Sequence, residues 1–178
     1  ESSTFVANES LALGGLADSW GAGVLPFREE DFSDMPISLS DLMPHYGKVA
    51  ERIGISGGND DIRPLFADYG YLMSPLKVDS NAEKILAKYN RGKDKFNKQG
   101  FYLGRTQLAV CTKPHRGRGP HQYQDMDYWT DTDDSVYRPR YTVEELRKFS
   151  NFSYLNSQLV LSFNELDNNL IEVTVNIK

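Results

Sequence analysis

Four glycines and a tryptophan fall within ten residues of this chain, Gly14-Gly15-Leu-Ala-Asp-Ser19-Trp20-Gly21-Ala-Gly23. Glycine has no side chain to hold a ligand away, so its backbone N–H groups can approach a planar cofactor closely and tune its electronics by hydrogen bonding. The plainer reading of the same residues is a tight turn packed on a neighbouring element, with Trp20 as its anchor. Trp20 can equally pack on a cofactor ring.

Three further groups carry residue types capable of chemistry. His115 and His121 bracket Arg116 and Arg118, and two guanidinium groups in one loop suit phosphate or carboxylate oxygens. The glycines and prolines around them also fit solvated surface. Asp125, Asp127, Asp131, Asp133 and Asp134 invite a calcium reading. They lack the glycine and the distal bidentate glutamate of an EF-hand loop, and no metal site is expected. Cys111 follows an apolar stretch with no activating His or Lys at a fixed spacing, which suits a small buried side chain better than a nucleophile. His45 falls away from the apolar stripe of a predicted helix and reads as structural. No catalytic residue is assigned within the chain.

These residues need elements to position them. Residues 11–27 read as a glycine-rich loop. Leu42, Met43, Tyr46, Val49, Ala50 and Ile53 recur at helical spacing, which predicts a helix capped by Ser40 and ended by Gly54. Residues 55–75 read as an ordered loop. A second helix is predicted from Asp79 or Ser80, burying Ala82, Ile85, Leu86 and Tyr89 and fraying in the basic turn Arg91-Gly-Lys-Asp-Lys. Residues 101–111 suit a strand with a bulge at Gly104. A long loop, 112–140, follows. A helix over 141–149 has Thr142 and Glu145 in capping-box relation. Residues 157–164 and 170–177 form an antiparallel hairpin around Glu165-Leu-Asp-Asn-Asn169. The predicted fold is α+β, with short helices and an antiparallel β component in a single domain over 1–178.

Composition narrows the partners. With 178 residues and 39% hydrophobic content, the chain can bury a real core. Its net charge of -5 offers no basic field for nucleic acid. No apolar run approaches the roughly 18 to 20 residues that cross a bilayer, and no membrane role is expected. A lone cysteine fits a reducing, cytoplasmic compartment. There is no initiator Met or leader-like start, and Val173-Thr-Val-Asn-Ile-Lys178 breaks off in a predicted strand, so both ends read as cut from something longer.

The order of short motifs gives the sharpest expectation. The Gly14-to-Gly23 stretch is followed by Met35-Pro36-Ile37-Ser38, Asp41-Leu-Met-Pro-His-Tyr46, Ile53-Gly-Ile-Ser-Gly57, Ser74-Pro75-Leu76 and Gly104-Arg105-Thr-Gln-Leu-Ala-Val110. This series resembles the glucose-methanol-choline family of FAD-dependent oxidoreductases, in particular its choline-dehydrogenase-like bacterial branch. The resemblance implies that the chain is the middle of a larger flavoprotein, with 11–27 as flavin-flanking loop, 28–100 as helical and loop region, and 101–178 as strand, long loop, helix and hairpin. It implies FAD contacts from Gly14, Gly15, Ser19, Trp20, Gly21 and Gly23. The family's GxGxxG turn, ribose-binding acid and catalytic His are missing here and would lie outside this segment. Several cysteines that many bacterial relatives carry after Val110 are reduced to Cys111.

The expected function is therefore part of an enzyme oxidising an alcohol, a sugar or polyol, by hydride transfer to FAD. The segment alone would be inactive, would bind FAD weakly or not at all, and would partner the remainder of its parent chain. Excised, it could self-associate through uncovered apolar surface. The alternative is a stand-alone carbohydrate-binding or interaction domain using Tyr123, Tyr128, Trp129 and Tyr137 as stacking groups.

Overall fold

Ser38 opens the first helix. Its backbone N–H donates to Asp41 Oδ2 at 2.9 Å and its hydroxyl to the same oxygen at 2.7 Å, closing a capping box over α1, Leu39–Ile53. Ser40, the predicted cap, lies inside the helix instead, because only Ser38 has an acidic residue three positions on; Ser40 has Met43 there. Gly54 terminates α1 at φ +74°, with its N–H donating to Ala50 O at 3.0 Å. The structure is a computed structural model describing residues 8–66, 68, 70–123, 131–167 and 169–177.

Helix α2, Ser80–Arg91, starts as predicted: Asp79 caps it, accepting from Asn81 N at 2.7 Å and Ala82 N at 2.8 Å. Beyond it the basic run is no frayed turn. Residues Lys93–Asn97 form a short helix, α3. Two anchors explain it, the first long-range: Lys93 pairs with Asp61, and Phe96 stacks on Tyr89 with ring centroids 5.7 Å apart.

The core is built from single bridges, not a continuous sheet. Leu108 and Ser56 exchange both backbone hydrogen bonds, at 2.8 and 2.9 Å. On the other edge of the same segment, Val24 N donates to Gln107 O and Ala109 N to Ala22 O, which sets Gly23 opposite Leu108. Farther along that edge, Tyr137 N donates to Ala109 O and Cys111 N to Ser135 O, setting Val136 opposite Val110. Met73 pairs with Ser56 in parallel sense. The predicted strand over 101–111 is thus realised only as bridges at Leu108 and Val110. Its neighbours carry Gly21, Gly23, Gly57, Gly58 and Pro75, too many breaks for a ladder. Gly104 is no bulge: a Cβ there would lie 2.0 Å from Asp60 Oδ1, so the glycine makes room for a carboxylate. Ala22, Ala50, Ile53, Ile55, Ala109, Val110 and Val136 form the buried cluster around these bridges.

The described residues fall into two compact units that divide between Pro139 and Arg140. Helix α4, Pro139–Leu146, leads into the second. Its start precedes the predicted one: Pro139, with φ preset for a first turn, opens the helix and Thr142 lies within it. Strands β1, Gln158–Leu166, and β2, Leu170–Ile177, then pair antiparallel from Gln158↔Ile177 to Leu166↔Leu170. A register irregularity falls between Val160 and Ser162, and Asn169 takes φ +58° at the turn. The α+β class is as the sequence predicts.

Candidate functional site

The glycine loop bends at its start. Gly14 at φ +101° and Gly15 at φ +64° use backbone conformations that disfavour a side chain, and a 3-10 turn covers Gly15–Ser19. Half-buried Trp20 packs against the core cluster, and its Nε1–H donates to Tyr137 O at 2.8 Å. It anchors the loop across 117 positions of chain. Ala22 is fully buried at φ +56° and hands the chain to Gly23. Because Gly23 and Leu108 form a non-hydrogen-bonded pair, Gly23's own N–H and C=O point away from Leu108. Ser19, Gly21 and Gly23 are exposed, and nothing lies within 4 Å of where a Cβ would sit on Gly21 or Gly23.

Gly23 borders an apolar cleft of about 270 Å³ between Val24–Pro26 and the Tyr46, Val49 and Ile53 side of α1. Phe27 N donates to Tyr46 Oη at 3.4 Å where the loop meets the helix. Loop and helix, separate in sequence, thus share one cleft. A larger, more polar cleft of about 560 Å³ is lined by Asn59, Arg63, Asp68, Tyr71 and Ser74, with Arg63 and Asp68 paired at 2.9 Å.

The His115–His121 loop is not an anion cradle. His115 and Arg118 exchange backbone hydrogen bonds at 3.0 and 2.9 Å across a tight turn, with Arg116 at φ +48° and Gly117 at φ +82°. The turn separates the two arginines: Arg116 is exposed, while Arg118 is buried. The Arg118 guanidinium donates to Ile53 O and, at 3.4 Å, to Ser135 O, and lies 5.5 Å from the Tyr137 ring centroid. Ile53 closes α1, so a buried cation meets the negative end of that helix. Solvated surface describes Arg116 but not Arg118.

His121, Ser135 and Asp131 form a hydrogen-bonded chain, but in an order unsuited to nucleophilic catalysis. Ser135 Oγ donates its single proton to Asp131 Oδ1 at 2.7 Å, so His121 Nδ1, 3.0 Å away, must itself donate. In a triad the histidine stands between serine and carboxylate. Ser135 is fully buried, and Asp131 also accepts from Ser135 N at 2.8 Å and Val136 N at 2.9 Å. The chain locks a turn. Cys111 is fully buried as well; burial pushes its thiol pKa up, partly offset by Arg118. It is a packed side chain, as the sequence suggests.

Asp125, Asp127, Tyr128 and Trp129 lie outside the described residues. Among the described residues, no three His, Cys, Asp or Glu side chains converge to hold a metal. Asp133, Asp134 and His45 are exposed. Of the described stacking candidates, Tyr123 is exposed, whereas Tyr137 packs beneath Arg118 and receives Trp20.

Two constellations escaped the sequence reading. Asp60 Oδ2 accepts from Arg105 N at 2.8 Å and lies 3.7 Å from Arg105 Nε. Asp61 binds Lys93 and the Tyr89 hydroxyl, which also meets the Asn97 carboxamide at 2.7 Å. Lys93 first, then Tyr89, holds the Asp61 carboxyl below its ordinary pKa, while burial first, then Asp61, raises that of Tyr89. An Asp-Asp pair in a loop gives no local sign that its carboxylates face different partners. No protein-family model matches the chain, and no curated protein matches it.

Proposed function

We propose that this chain is part of an FAD-dependent oxidoreductase that oxidises an alcohol, of the sugar or polyol class, and that 14–23 is its flavin-flanking loop. One observation carries the reading: Gly23 presents bare backbone at the border of an apolar cleft that α1 completes, and Gly21, two residues earlier, is equally open. A flat aromatic ring system needs such close backbone approach with apolar cover on one side. The loop is held by Trp20 through its bond to Tyr137, so its exposed edge is set before any ligand arrives.

In this reading FAD supplies the hydride acceptor. Gly21 and Gly23 bring backbone polar groups to the ring, Gly14 and Gly15 shape the turn, exposed Ser19 offers a hydroxyl, and Tyr46 and Val49 cover the cleft. The polar cleft with Asn59, Arg63, Asp68 and Tyr71 has the donor and acceptor content that a polyol requires. The base that deprotonates the alcohol belongs to the rest of the parent chain.

The test is to express the reading frame that contains this segment in full and ask whether flavin absorbance co-elutes with protein and is bleached anaerobically by alcohols. Gly23→Val should cut flavin retention at least tenfold while leaving the circular dichroism spectrum unchanged. Full flavin retention by that variant would sink the assignment. The 178-residue chain alone should reduce no dye with any alcohol; turnover by it would refute the view that the chain is only a part.

A further inference from the structure

A second apolar cavity, of about 370 Å³, lies on the face of the bridge row opposite the glycine-loop cleft. Ser56 and Leu108, directly opposed, both line it, whereas Ile55, next in chain, borders the cleft beside Gly23. Neighbouring residues of extended backbone point to opposite faces, which separates the two cavities. The walls are Leu76, Val78 and Leu103, with Ala82, Ile85 and Leu86 from α2. The size suits a small organic ligand.

Among the described residues, Arg105 is the single charged one in the lining. Asp60 fixes its inner side, through the backbone N–H at 2.8 Å and the Nε ion pair at 3.7 Å. The Nε atom is buried without a hydrogen-bond partner, yet the Arg105 side chain is 40% exposed. Its exposure therefore lies elsewhere on the side chain than at Nε. A guanidinium with a carboxylate on its Nε side, on a side chain that is part-exposed, has further donors that suit a second carboxylate. Gly104, also in the lining, is required by the Asp60 carboxylate behind it, so the arginine mount and the cavity wall are one construction.

We infer that this cavity binds a small monocarboxylate with an apolar body, its carboxylate on the Arg105 guanidinium and its alkyl or aryl part against α2 and Leu103. The site stands apart from the flavin reading and would hold if that reading failed. An apolar wall with one cation selects such an acid over its neutral and cationic counterparts, since neither of those can pair with the guanidinium.

Titration calorimetry of the 178-residue chain with octanoate, octanol and octylamine tests this. Octanoate should bind saturably and at least tenfold more tightly than octanol, with octylamine weaker still. Arg105→Gln should bring octanoate down to the octanol level, Arg105→Lys should restore part of the difference, and Ala82→Phe should abolish binding by filling the cavity. Absent octanoate binding, equal binding of octanoate and octanol, or an Ala82→Phe variant that binds octanoate undiminished would each overturn the proposal. Should Arg105→Gln fail to fold, the octanoate-to-octanol ratio of the unsubstituted chain together with Ala82→Phe decides it.

Discussion

Arg118 shows how one side chain can tie several segments together. It satisfies carbonyls of α1 and of the segment before Tyr137, and Gly54 must lack a side chain for it to fit. A Cβ on Gly54 would meet His115 Cδ2 at 3.0 Å and Arg118 Nη2 and Cys111 Sγ at 3.1 Å, at φ +74°. Arg118→Met would remove the guanidinium donor from the Ile53 carbonyl, while Ser135 O keeps its bond from Cys111 N, and a buried group so stranded costs about 1–3 kcal/mol. A loss of about 2 kcal/mol or more in urea unfolding is expected, and a change within error would mean water replaces the guanidinium. Nearby, the raised thiol pKa and full burial of Cys111 predict that iodoacetamide labels it far more slowly in the folded chain than in urea. Asp61 adds a pH signature. Its folded pKa is depressed, so its contribution is present above the unfolded value of about 4 and is lost as pH falls through the lower folded value. Lys93 runs the other way: its raised pKa gives a contribution complete below about 10.4 and lost as pH rises through the folded value. Asp61→Asn should therefore flatten the acid limb of stability against pH, read by thermal melts from neutral pH downward. An unchanged acid limb would assign that limb to other carboxyls, of which Asp41, lowered by the Ser38 backbone N–H, is one.

At the scale of elements, the helices answer to local rules and the bridges do not. Asp79→Ala removes the acceptor for two backbone donors and should cost about 1 kcal/mol in denaturant unfolding, the ordinary value for an N-cap. A negligible cost would mean that packing of Tyr89 alone holds α2. Helices α1 and α2 and the hairpin were legible because spacing, caps and turn residues lie within a few positions of what they control. The start of α1 was misread by two residues because Ser38 and Ser40 are both serines, and only the partner at the third position separates them. Helix α3 looks like a turn in the sequence because its support comes from Asp61, more than thirty positions upstream. The glycine loop shows the same division. Its glycines announce a close approach, yet the bond that fixes it joins Trp20 to Tyr137, and neither residue's neighbours reveal it. The strand over 101–111 was legible as an apolar alternation but not as bridges, since a ladder's length depends on partners that lie far away in sequence. Asp60 and Arg105, separated by 45 positions, were invisible for the same reason.

On the scale of the whole molecule, the first unit has a buried cluster, whereas β1 and β2 of the second are exposed on both faces. Phe163 is 73% exposed and Ile171 65%. An isolated two-stranded hairpin is marginal in water, and apolar side chains on both faces give a strand pair reason to find a cover. Phe163↔Val173 and Glu165↔Ile171 are alternate register pairs, with Asn164↔Glu172 between them, so Phe163 and Ile171 lie on one face. If that face drives association, light scattering over a dilution series should give a mass that rises with concentration above the 20.2 kDa of one chain. Replacing Phe163 and Ile171 together with lysine should return the mass to one chain at the same concentrations, because association through this face would have to take the lysine charges out of water. The new lysine at 171 would face Glu165, so the hairpin's own pairing is kept and far-ultraviolet circular dichroism should not change. A constant single-chain mass for the unsubstituted protein would refute association through this face and show that the hairpin tolerates water on both sides.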